Sequence, residues 1–145
     1  MLKKENYFGM YLNQKCYITE WFRIEPNSQQ NYCYYDKGII ELTVYSLKDI
    51  FKNNGENSEY AKLILRPFED MTEEEVFNFT RLIGRWNDGI TWVKSNFIKY
   101  VINCLKSEVL FYLDEIQYLI SIGIDIFNLK QKGFAVYESD LKGEN

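Results

Sequence analysis

Hydrophobic and polar residues alternate most regularly from Cys16 to Ile24. Cys16, Ile18, Phe22 and Ile24 fall on one face, and Tyr17, Thr19, Trp21 and Arg23 on the other. A period of two with β-branched content predicts a strand, although Glu20 interrupts its apolar face. Pro26-Asn27-Ser28-Gln29-Gln30-Asn31 is a turn cluster, after which Tyr32 to Tyr35 is expected to return as the second arm of a hairpin. Asp36-Lys37-Gly38 is the next turn, and Ile39 to Tyr45 alternates again, with Ile40, Leu42 and Val44 on one face. Ser46-Leu47-Lys48-Asp49 has the form of a helix cap, opening a short helix that ends near Lys52. Asn53 to Ser58 reads as an exposed loop, and Ala61 to Leu65 as a compact strand stopped by Pro67.

The period then changes to that of a helix. Thr72-Glu73-Glu74-Glu75 is a capping box in which Thr72 caps forward and Glu75 reaches back. Three glutamates in a first turn suit the positive end of the helix dipole. Val76, Phe79, Thr80 and Ile83 follow on one face, with Gly84 as the stop. Asn87-Asp88-Gly89 marks a turn. Ile90 to Val93 and Phe97 to Ile102 read as strands, although Phe97, Val101 and Leu105 also fit a helix. The last long element is expected from about Ser107 to Ile122. Its stripe is Val109, Tyr112, Leu113, Ile116, Leu119 and Ile120, with Asp114, Glu115, Gln117 and Ser121 facing away. Gly123 closes it in the left-handed conformation. A polar turn through Lys130 to Gly133 leads to a strand from Phe134 to Tyr137 and a frayed tail after Ser139. No repeat or linker divides the chain, so residues 1–145 read as a single α+β domain: a mainly antiparallel sheet with two or three packed helices.

Composition narrows the chemistry more than the fold. The chain has 145 residues, of which 46% are hydrophobic and 26% charged, with a formal net charge of −4. A domain of this length buries roughly two thirds of its unfolded surface and needs no metal or disulfide to hold it together. Aromatic residues make up 17%, and Ala61 and Ala135 are the only alanines, which speaks against a helical bundle and for strands with large core side chains. There is no histidine. Ser-His-Asp and Cys-His nucleophile systems, and zinc sites that need His, are therefore unavailable within this chain. Acid–base work would fall to Asp, Glu, Lys, Tyr or Cys with a shifted pKa. Cys16, Cys33 and Cys104 lack CxxC spacing and read as reduced core thiols; a Cys16–Cys33 disulfide is left open. Neither GxGxxG nor GxxxxGK[ST] occurs. No cofactor, metal ligand set or catalytic residue is expected. No apolar run suggests a secretory signal or a membrane span, and the expected location is cytoplasmic.

Three constellations remain as candidate partner-binding groups. Glu69, Asp70, Glu73, Glu74 and Glu75 form an acidic cluster that is either helix capping with solubility or a docking surface for a basic partner. Trp21, Arg23, Tyr32 and Tyr34, with Lys37 nearby, would present aromatic rings beside cations, which suits a protein interface or stacking on single-stranded nucleic acid. Arg81, Arg85 and Trp86 have the composition of an interface anchor, or of a solvated helix face with a cation–π contact.

Two stretches carry a resemblance. Lys62-Leu63-Ile64-Leu65-Arg66-Pro67-Phe68-Glu69-Asp70-Met71-Thr72 is similar to an L-I-L-R-P-L-S-D-L-T segment. Tyr118 to Leu129, followed by Lys132-Gly133-Phe134-Ala135-Val136, is similar to a Y-L-L-x-x-x-F-D-V-F-G-L-I-x-x-G-L-A-I ending. Together, over about a quarter of the chain, they resemble a family of small uncharacterised proteins encoded in bacterial prophages and mobile elements. The chain departs at Gly123, where a bulky residue, often His, is common, and at Asn128, where Gly is common; Asn tolerates the same left-handed turn. The resemblance implies a phage-derived protein and transfers no catalytic residue. The expected function is a non-enzymatic module that binds a host or phage protein, in its concrete form a counter-defence inhibitor of the anti-CRISPR type. A nucleic-acid-associated accessory factor and a carboxylate- or Cys-dependent enzyme are the alternatives, and a homodimer is an open possibility.

Overall fold

A computed structural model describes residues 2–24, 33–83, 86, 94–107 and 111–142. The class is α+β. Within the chain, contacts gather into two compact units: residues 1–65 with 128–145, and residues 66–127.

The first unit holds a four-stranded sheet in the order β4-β1-β5-β6 and a separate β2-β3 pair. Its strands are β1 (Lys15–Ile18), β2 (Phe22–Ile24), β3 (Cys33–Tyr35), β4 (Gly38–Glu41), β5 (Ala61–Leu65) and β6 (Ala135–Tyr137). Strand β1 is antiparallel to β4 and β5, whereas β5 and β6 run parallel with Leu63 opposite Ala135. Parallel neighbours require a long crossover, and here residues 66–127 lie between them in sequence. The strand expected from Cys16 to Ile24 is two strands. Cys16, Tyr17 and Ile18 are all buried, as an interior strand covered on both faces demands. At Thr19 the chain leaves the sheet, its amide donating to the Tyr60 carbonyl at 2.7 Å. Pairing resumes at Phe22 beyond exposed Glu20, the residue that breaks the apolar face.

Helices fill much of this unit where loops or strands were expected. The N-terminal α1 (Lys4–Met10) buries Tyr7 and Phe8. The strand expected to reach Tyr45 stops at Glu41, and α2 (Val44–Ile50) starts earlier than expected. Thr43, not Ser46, is its N-cap: the Thr43 Oγ1 accepts from the Ser46 amide at 3.2 Å, and the Ser46 Oγ accepts from the Thr43 amide at 2.8 Å. Ser46 thus supplies the returning half of a capping box, a job more often done by Glu. The expected loop after Lys52 is α3 (Lys52–Gly55) followed by a 3-10 turn (Ser58–Tyr60). The expected frayed tail includes α7 (Glu138–Leu141), braced by an ion pair from Lys130 to Asp140 at 2.9 Å.

The second unit contains a 3-10 turn (Phe68–Asp70) and helices α4 (Glu73–Arg81), α5 (Lys94–Lys106) and α6 (Leu113–Ser121). The capping box at Thr72 and Glu75 forms as expected. The strand expected over 97–102 is part of α5, where Val101 and Leu105 take the buried face at i, i+4 spacing. Helix α6 is shorter than expected, starting after Tyr112. The core brings together Met71, Val76, Phe79, Val101, Leu105, Leu119 and Ile124. Gly123 adopts φ 77° and Asn128 φ 59°, so both turn positions flagged in the sequence are left-handed. The expected stop at Gly84, the turn at 87–89 and the strand at 90–93 lie outside the described residues.

Candidate functional site

The β2-β3 pair separates its two faces sharply. Register places Phe22 opposite Tyr35, Arg23 opposite Tyr34 and Ile24 opposite Cys33. On the inner face Phe22 and Ile24 are buried. The Phe22 ring stacks on Tyr35 with centroids 5.1 Å apart and on Tyr60 at 6.0 Å. The Tyr35 hydroxyl donates to Asp49 Oδ2 at 2.7 Å, which ties β3 to α2. Trp21, just before β2, and Tyr34 are 55% and 54% exposed. Their ring centroids are 5.8 Å apart and the planes are tilted by 31°. Arg23, exposed in the middle of β2, lies beside them in register. Two large rings held together in water, with Arg23 on the same face of the strand pair, form a pre-ordered contact surface whose side chains lose little further entropy on docking. Tyr32, the fourth member of this group, lies outside the described residues.

The acidic group divides by function. Glu75 belongs to a structural knot. Arg66 Nη1 donates to Glu75 Oε1 at 3.0 Å and Nη2 to Oε2 at 2.7 Å, a forked pair. The same guanidinium reaches the carbonyls of Asp70 at 3.1 Å and Ile122 at 2.8 Å. The backbone joins in: the Arg66 amide donates to the Gly123 carbonyl at 2.8 Å, and the Asp125 amide to the Arg66 carbonyl at 2.9 Å. Partial burial works to raise the Glu75 pKa, but the Arg66 guanidinium and the bonds from Thr72 outweigh it, so the carboxyl sits below its ordinary value. Glu69 pairs with Lys106 at 2.6 Å on the surface, and that bond holds its pKa down as well. Asp70, Glu73 and Glu74 are exposed around the start of α4. The docking reading therefore rests on these three with Glu69, while Glu75 fastens α4 to the turn after α6.

Trp86 is not the exposed anchor that its composition suggested. Its ring packs on Phe79 at 5.6 Å and on Tyr100 at 6.5 Å, and it borders the core of the second unit. Its indole Nε1 donates to Glu115 Oε2 at 2.9 Å, while Glu115 Oε1 accepts the Tyr112 amide at 3.0 Å. Glu115, expected to face away from the stripe, is fully buried. A carboxylate can sit inside because two donors meet its two oxygens. Arg81 is exposed at the end of α4, and Arg85 lies outside the described residues.

Cys16 is a free, buried thiol, so the bond to Cys33 left open by the sequence is not made; burial pushes the Cys16 pKa up to about 12. Among the described residues no three His, Cys, Asp or Glu side chains converge as a metal site would require, and no helix is long and apolar enough to cross a membrane. Compared with protein-family models, with curated proteins and with solved structures, the chain has no match.

Proposed function

We propose that the protein works by binding another protein through the outer side of the β2-β3 hairpin, with Trp21, Arg23 and Tyr34 as the contact residues. The observation that carries this reading is the exposed Trp21–Tyr34 pair on a strand pair whose opposite face is anchored in the first unit. Interfaces favour this composition because aromatic rings and Arg bring large contact area and directional bonds with few rotatable angles. The exposed carboxylates of Glu69, Asp70, Glu73 and Glu74 suit a basic partner. The likeness of two stretches to prophage-encoded proteins points to a host or phage protein in the cytoplasm, with a counter-defence inhibitor of the anti-CRISPR type as the concrete form. Stacking on single-stranded nucleic acid uses the same rings, but the net charge of −4 works against phosphate binding.

The test compares the wild type with Trp21→Ala/Tyr34→Ala in a bacterial host carrying a nuclease-based defence, by cross-linking, plaque assay and gel shift at low salt. Protection of infecting phage and a cross-linked host or phage protein, both lost in the folded variant, are the expected results. Identical cross-links and protection for the two forms would sink the hairpin as the interface. A shift with single-stranded DNA and no protein cross-link would replace the protein reading with the nucleic-acid one. Cross-links only between copies of the chain would replace it with a homodimer.

A further inference from the structure

Lys4 is placed unlike the lysines that stand in solvent. Its ammonium lies 5.5 Å from the centroid of the Phe8 ring and 5.7 Å from that of Phe134, and it donates to the Ser58 carbonyl. Phe8 in turn meets Phe51 edge-on at 5.2 Å. Beside the amine opens a cleft of about 430 Å³ lined by Lys3, Lys4, Glu5, Phe51, Gly55 and Ser58. The charged and titratable groups around Lys4 are Lys3 at the N-cap of α1, Glu5 on α1, Cys16 on β1, Glu59 on the 3-10 turn and Lys62 on β5. Burial of the ammonium, and then repulsion from Lys62, lower the Lys4 pKa to about 8, against the opposing pull of Cys16 and Glu59. A partly desolvated amine next to another cation is how a lysine is made nucleophilic near neutral pH.

We propose that Lys4 is a covalent capture site for small aldehydes, which enter through the cleft between α1 and the Phe51–Ser58 segment. After the ammonium releases one proton to solvent, the Nζ lone pair forms a C–N bond to the carbonyl carbon. Both remaining amine hydrogens leave with the carbonyl oxygen as water, and a C=N bond remains. The hydrogen bond to the Ser58 carbonyl is compatible with attack, because a neutral amine can donate one hydrogen while its lone pair stays available. The faces of the Phe8 and Phe134 rings beneath the ammonium favour its charged form, so it is burial and the neighbouring Lys62 charge that work toward the neutral amine.

The experiment treats the full chain with pyridoxal near neutral pH, reduces the imine with borohydride and maps the labelled lysines by fragmentation mass spectrometry. At neutral pH a lysine with a pKa of about 8 holds roughly 300 times more neutral amine than one at the ordinary value. Lower basicity and partial burial reduce that advantage, so labelling of Lys4 is expected at least about tenfold faster than that of exposed Lys48. The Lys4 rate should reach half its plateau near pH 8, and Lys62→Met should slow it several-fold at neutral pH by removing the adjacent charge. Lys4→Arg should abolish the fast phase without changing the far-ultraviolet spectrum. Labelling of Lys4 no faster than Lys48, or a rate indifferent to Lys62→Met, would overturn the proposal.

Discussion

Arg66 and Glu75 show how much a single pair can organise. Nine positions separate them, a spacing with no helical or strand periodicity, and only the 3-10 turn between them makes the forked contact possible. Glu75→Gln keeps the shape and removes the charge, and is expected to cost about 1–2 kcal/mol at neutral pH, read from urea unfolding. Because the folded pKa of Glu75 is lowered, its contribution is present above the unfolded value of 4.5 and is lost as pH falls through the folded one. The stability gap between wild type and variant should therefore close in acid. Cys16 behaves oppositely. Its pKa is raised from 9.0 to about 12, so it contributes stability below pH 9.0 that disappears as pH climbs toward 12. Cys16→Ala should lower the thermal midpoint at neutral pH and flatten the decline on the alkaline side. The fork was invisible in the sequence, as was the burial of Glu115. Each depends on a partner that only chain folding delivers: the Arg66 guanidinium in one case, the Trp86 indole in the other.

Elements were legible where the signal is local. The capping box at Thr72, the strand Ala61–Leu65 and the left-handed Gly123 all follow from chemistry within a few residues, and all are present. Gly123 at φ 77° cannot gain a side chain without strain. Gly123→Ala is expected to destabilise by about 1–2 kcal/mol, and the loss should appear as faster hydrogen exchange at the Ile122–Asp125 amides beside Arg66. Short apolar runs such as 97–102 fit either period, and α5 wins because Val101 and Leu105 fall on one side and reach the core of the second unit. Thr43 displaced Ser46 as cap because the edge strand β4 ends early enough for α2 to begin at Val44. The stretches Lys62–Thr72 and Tyr118–Val136 take part in the scaffold: β5 pairs with β6, and Arg66 bridges to Ile124.

For the molecule as a whole, the contrast between Phe22 and its neighbours separates folding from binding. Phe22→Ala should lose about 3–5 kcal/mol, because it empties a ring stacked on Tyr35 and Tyr60. Trp21→Ala/Tyr34→Ala should stay within about 1 kcal/mol of wild type by urea unfolding while losing the partner. A stability loss for the double variant as large as that for Phe22→Ala would mean that the outer rings are structural. Of the proposed contact residues, Trp21, Arg23 and Tyr34 were readable from alternation alone, since residues two apart share a face. That this face is the one left in water was not readable, because both faces of the segment are rich in large side chains. Lys4 carries no signal in the linear sequence: Lys3-Lys4 reads as a solvated charge pair, and its aromatic surroundings come from Phe8 and Phe134.

The amino-acid order alone determined the α+β class, the helix start at Thr72, the return of the hairpin onto Arg23 and the absence of imidazole chemistry. Each follows from side-chain type and short-range spacing. Tertiary structure decided that Glu75 is locked to Arg66, that Trp21 stands in solvent while Trp86 borders the core, and where a lysine loses part of its hydration. Those outcomes depend on groups far apart in sequence meeting at distances of a few ångströms, where desolvation and charge pairing outweigh local preference.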